Sequence, residues 1–99
     1  MDQKTAEYLL RKVDSDKAFL FCHGKVASDL SSLLRGILTL SSEEYAHHVF
    51  EGHNDFSNWL RDVVGDTRLA ADIFSASQRQ AEALLKARLH YLQEMAGWP

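Results

Sequence analysis

The sequence predicts an all-α fold, a compact orthogonal bundle of about five to six helices with one short extended aromatic segment near residues 18–23. Three observations carry that expectation. Apolar residues recur at the i, i+3, i+4, i+7 spacing of one helical face in segment after segment. Serine, aspartate and asparagine stand where those segments begin, and the glycines at 24, 36, 52, 65 and 97 mostly fall between them. The one proline is Pro99, so no proline interrupts a helix from within. At 99 residues, 45% hydrophobic and 25% charged, the chain suits a single helical domain over residues 1–99 with one modest core.

Residues 2–13 read as the first helix, with Ala6, Leu9, Leu10 and Val13 on one face. Asp14-Ser15-Asp16 breaks the pattern. Ala18 to Gly24 is read as an extended or single-turn segment, since aromatic residues favour strands but no second segment alternates convincingly enough to pair with it. Alternation would bury Phe19 and Phe21 and leave Leu20 and Cys22 on the other side. Ser28 is placed as the next helix cap, followed by Asp29 where the helix dipole favours an acid. Leu30, Leu33, Leu34, Ile37 and Leu38 form the clearest stripe in the chain, running to about Thr39. Gly36 inside it costs about 1 kcal/mol relative to alanine, which implies close packing of a neighbouring helix.

Ser41 with Glu44 matches a capping box and opens a short helix over about 42–50, with Tyr45, Val49 and His48 inward and Gly52 as its stop. Asn54 or Asp55 caps a further helix whose stripe is Phe56, Trp59, Leu60, Val63 and Val64, with Ser57 outside it. Gly65 ends that helix. Asp66 caps a two-turn helix that faces Leu69, Ala70, Ile73 and Phe74 inward. Ser75 or Ser77 starts the last helix, and Ser77 with Gln80 is again a capping box. That helix runs to about Met95, with Ala81, Leu84, Leu85, Leu92 and Met95 inward, while Leu89 and Tyr91 widen its apolar face.

The net charge of −3, with basic residues scattered, argues against a nucleic-acid binder. A helix-turn-helix reading of 42–64 fares poorly, because the second helix offers Asp55 and Asp62 against one arginine, Arg61. The single cysteine, Cys22, permits no internal disulfide and suits a reducing cytoplasm. No signal peptide is expected, since Asp2, Lys4 and Glu7 interrupt any apolar run. The longest such run, Ala18 to Cys22, is far below the about 20 residues needed to cross a bilayer, so no membrane association is expected.

Residues of chemical interest gather in one region: His48, His53, Asn54, Asp55, Trp59 and Asp62. Adjacent His47 and His48 would point about 100° apart on a helix, which does not suit one metal ion, and no HExxH motif occurs. Asp55 and Asp62 would lie two turns apart on one side of a helix, roughly 10 Å at 1.5 Å per residue. Asp55 is read chiefly as a cap and Trp59 as core. Cys22 beside His23 is read as an inert buried thiol, because neighbours on an extended segment face opposite sides. No catalytic residue, metal site or cofactor is assigned.

His48-Val49, Asn54-Asp55-Phe56, Trp59-Leu60, Asp62-Val63, Gly65-Asp66 and Leu69-Ala70 together resemble the pattern H-V…N-D-F-x-x-W-[IL]-x-D-V-x-G-D-x-x-L-A of a family of small uncharacterised helical domains of archaea and bacteria. The resemblance spans about residues 18–92, with Phe19, Phe21, Leu33 and Leu34 standing in the family's preceding aromatic and leucine-rich segments. It implies a domain of unknown function with an accessory or interaction role, and it sets residues 1–14 apart as an N-terminal helical addition. The leading expectation is a non-enzymatic protein-interaction module, with self-association as a homodimer among its forms. Its contact surfaces would be Leu89, Tyr91, the segment 19–21 and Trp98. The alternative is a ligand- or metal-binding domain using the histidine and acid cluster at residues 48–62.

Overall fold

The computed structural model describes residues 1–98. Helix α1 (Gln3–Leu10) starts at Asp2, whose carboxylate accepts from the Thr5 N–H. It stops short of the expected Val13 because Arg11 leaves helical geometry and turns to a distant partner. Its guanidinium lies 3.8 Å over the Tyr8 ring and donates to the Val63 and Val64 carbonyls at 2.9 Å each. Those carbonyls end a later helix, so the charge sits where a helix C-terminus favours it.

After a 3-10 turn at Ser15–Lys17, the aromatic segment is a strand with a partner. β1 (Phe19–Leu20) pairs antiparallel with β2 (Val26–Ala27), and the Phe21 N–H donates to the Lys25 carbonyl at 2.9 Å. This corrects the expectation of an unpaired extended segment. Val26-Ala27 is too short to reveal an alternating pattern in sequence. Phe19 and Phe21 are buried on one side as expected, and Leu20 and Cys22, on the other, are exposed.

Helix α2 (Leu30–Leu38) is capped by Asp29, not Ser28, in a reciprocal box with Ser32. Leu30, Leu33, Leu34 and Ile37 are buried, but Leu38 is exposed at the edge of that stripe. Gly36 does sit at a close approach, although the neighbour is not a helix. A Cβ there would collide with the end of the Phe21 ring, so glycine lets the hairpin's aromatic side chain rest on the α2 backbone.

The expected helix 42–50 is shorter and turns into a second hairpin. Helix α3 (Ser42–His48) opens with the Ser41–Glu44 capping box. The chain then forms β3 (Val49–Phe50), a two-residue turn at Glu51-Gly52, and β4 (His53–Asn54). Both turn residues have positive φ, 23° and 74°, as a tight two-residue hairpin demands. Gly52 is therefore a hairpin residue, not a helix stop.

Helix α4 (Asp55–Trp59) runs into a π-helical turn at Leu60–Val64, which Gly65 closes in the left-handed conformation at φ 91°. Asn54 is its cap, accepting from the Ser57 N–H at 2.9 Å; the Asp55 carboxylate turns elsewhere. Ser57, expected outside, is buried because its hydroxyl donates to the Ala70 carbonyl at 2.6 Å. Helix α5 (Thr67–Ile73) starts at Asp66, and α6 (Gln78–Ala96) at the Ser77–Gln80 capping box. Phe74 and Met95 are exposed, contrary to expectation: Phe74 lies past the end of α5, and Met95 lies beside the buried row Ala81, Leu85, Leu92 and Ala96.

The chain is thus mostly helical with two small antiparallel sheets. α6 packs against α1, α2 and α5, and the core is one cluster into which the aromatic residues of the first hairpin are drawn. Among the described residues no helix is long and apolar enough to cross a membrane.

Gly36→Ala tests the α2–hairpin contact. Alanine is the better helix former by about 1 kcal/mol, yet overpacking against Phe21 should give a net destabilisation of about 1–2 kcal/mol in urea titration. A more stable variant would contradict the contact.

Candidate functional site

Three of the six residues singled out from the sequence meet around one carboxylate. His48 is the last residue of α3 and Asp55 the first of α4. The hairpin between them pairs Val49 with Asn54 and Phe50 with His53, so residues 48 and 55 are the next pair in register. Their proximity is a property of the two-residue turn, not of helical spacing. His48 Nδ1 lies 2.9 Å from Asp55 Oδ2, and His53 Nε2 lies 2.5 Å from Asp55 Oδ1. His53 also stacks on Phe50, with ring centroids 5.0 Å apart.

The two imidazoles differ in setting. His53 is exposed, whereas His48 is 5% exposed and walled in by Phe19, Phe21 and Phe56 at centroid distances of 5.3, 6.4 and 5.1 Å. The other ring nitrogen of His48, Nε2, accepts the Cys22 backbone N–H at 3.0 Å. An amide N–H only donates, so Nε2 carries no proton and the ring proton is on Nδ1, donated to Asp55. Burial pulls the Asp55 carboxyl upward. Hydrogen bonds from His48 and then His53 outweigh burial and hold it below the ordinary aspartate range.

The other three residues serve elsewhere. Asn54 is 1% exposed and satisfies two helix ends at once: its amide donates to the Ile73 and Phe74 carbonyls at 3.1 Å each, while its oxygen caps α4. Trp59 is core, its indole N–H donating to the Lys17 carbonyl at 2.8 Å. Asp62 forms a two-point ion pair with its neighbour Arg61, which lowers its carboxyl through that hydrogen bond. It borders an open recess of about 720 Å³ that also takes in Tyr8, Arg11, Lys12 and Lys17.

Chemically, His48 and Asp55 have the form of an imidazole oriented by a carboxylate. In such a pair the free nitrogen acts as the base, but here the Cys22 amide occupies it. The same occupancy stands in the way of metal ligation, which needs a bare lone pair. Among the described residues no three His, Cys, Asp or Glu side chains are grouped to hold a metal ion. The Cys22 thiol, expected to be buried, is exposed, with Sγ 3.8 Å from the Glu44 carbonyl.

One buried charge pair escaped the sequence. Asp66 is 2% exposed, and beyond capping α5 it receives Arg88 from α6 at 2.8 and 3.0 Å. The two residues are 22 apart and belong to no local motif. Of the expected contact surfaces, Phe19 and Phe21 are buried and Leu89 packs partly against the core, leaving Leu20, Tyr91 and Trp98 exposed. No protein-family model, curated protein or solved structure matches the chain.

Because the Asp55 carboxyl is held lower in the folded chain than in the unfolded one, it contributes stability that is fully present above the unfolded value, near pH 3.8. That stability is lost as the pH falls through the folded value. Asp55→Asn should cost about 1–2 kcal/mol at neutral pH, allowing for partial exposure of the carboxylate. Denaturant titrations should show the wild type losing this advantage below about pH 4. An undiminished gap in strong acid would contradict the assignment.

Proposed function

We propose that this chain is a non-enzymatic protein-interaction or accessory module of the cytoplasm, and that it docks a protein along the seam between α5 and α6. The observation that supports this best is an apolar-floored groove on that seam. Two adjoining recesses, of about 380 and 430 Å³, share Asp72 and Leu84. On the α6 bank, Ala83 and Ala87 stand one turn apart, both exposed and too short to fill the space. Tyr91 follows one turn further on, exposed beside Arg88. Arg68 and Asp72, 3.9 Å apart, border the groove with charge. An apolar centre with a polar rim is the usual anatomy of a protein–protein contact, and a second copy of the chain is among the partners such a groove would accept.

The exposed thiol suits a reducing compartment, and the motif resemblance points to an accessory role in the same direction. A ligand or metal site at residues 48–62 has less support, since the hydrogen bonds that hold His48 would have to be broken first.

Ala87→Arg places a long charged side chain in the groove at an exposed position, so stability should change by no more than about 0.5 kcal/mol. Association measured by light scattering, or by cross-linking from a photoreactive residue at position 83 in cells, should fall at least about tenfold in that variant. A chain with Ala87 intact that stays monomeric and yields no discrete adduct from position 83 would contradict the reading.

A further inference from the structure

The hydrogen bonds of His48 leave it one place for a further proton. Nδ1 already carries one and gives it to Asp55 at 2.9 Å, so a second must go to Nε2. There it would meet the Cys22 N–H, which now points at the bare nitrogen from 3.0 Å. Two donors cannot share that line, and the amide proton cannot leave. A proton on Nε2 and the bond to Cys22 therefore exclude each other.

We propose that His48 is a proton-operated latch on the first hairpin: protonation of Nε2 breaks the Cys22 hydrogen bond and releases the loop between β1 and β2, uncovering Phe21. The surroundings suit such a device. The other side-chain tethers of this loop lie at the surface, namely His23 to Thr39 at 3.1 Å and the Cys22 thiol to the Glu44 carbonyl. Phe21 rests on Gly36, where no side chain interlocks with it.

The ionisable groups around His48 come from three directions. Its own helix brings His47 and Glu44, whose carboxylate is held by the Ser41 N–H. The hairpin brings His23 and the Cys22 thiol. β4 and α4 bring His53 and Asp55. Asp55 keeps its contact with Nδ1–H whichever charge the ring carries, so it does not restore the lost bond to Cys22. It also divides its charge with His53. His23 is the group whose own titration could mimic the effect, because its ring holds both Thr39 and the Lys25 N–H.

The test is amide hydrogen exchange at Cys22 and Phe21 followed by NMR between about pH 7.5 and pH 5, across the imidazole range, with allowance for intrinsic exchange. In the wild type the opening equilibrium should rise as the pH falls, by up to about tenfold per unit, the limit for one proton. In His48→Gln, whose amide accepts from Cys22 and donates to Asp55 without titrating, it should be flat. His23→Gln and His53→Gln should keep the wild-type slope. Should His48→Gln not fold, the ring nitrogens of wild-type His48 decide: protonation of Nε2 must coincide with loss of Cys22 protection. A Cys22 amide that stays protected beside a doubly protonated ring would overturn the latch. So would a slope that persists in His48→Gln or vanishes in His23→Gln.

Discussion

A buried imidazole with both nitrogens committed holds the centre of this molecule. An unpartnered polar group in an apolar setting costs several kcal/mol, and the ring of His48 lies among three phenylalanines. It is tolerable there because Cys22 supplies a donor and Asp55 an acceptor. Each partner comes from a different part of the chain. One ring thereby ties the first hairpin, the end of α3 and the start of α4, and the aromatic core closes around that junction. Its second function is to hold the neutral Nδ1–H form, since the direction of each hydrogen bond dictates the other.

The same economy recurs at the remaining helix ends. Asn54 joins the start of α4 to the last carbonyls of α5, Asp66 joins the start of α5 to Arg88 on α6, and Arg11 covers the carbonyls at the end of the π turn. Helix termini leave backbone groups without intrahelical partners. Here side chains from other elements satisfy them, so capping and tertiary packing are one set of contacts. The result is a small core whose polar residues serve structure, while the α5–α6 seam keeps an apolar floor open at the surface.

The parts of this arrangement that depend on neighbours in sequence were legible. Ser41 with Glu44, Ser77 with Gln80, Asp66 as a cap and Gly65 as a stop all act within five residues. Their residue types announce them. Strands of two residues announce nothing, because alternation needs a longer run to be seen; both hairpins were hidden for that reason. A continuous helix over 42–50 offers no register between His48 and Asp55, whereas the tight Glu51-Gly52 turn makes them neighbours across the hairpin. Gly36 signalled a close approach but not that a phenylalanine makes it. Arg88 and Asp66 needed the packing of α5 on α6 to meet.

Ring-nitrogen NMR at neutral pH reads directly which nitrogen of His48 bears the proton. A single slow tautomer is expected, with hydrogen on Nδ1 and a bare Nε2 coupled across a hydrogen bond to the Cys22 amide. A ring protonated on Nε2, or one averaging between tautomers, would contradict it.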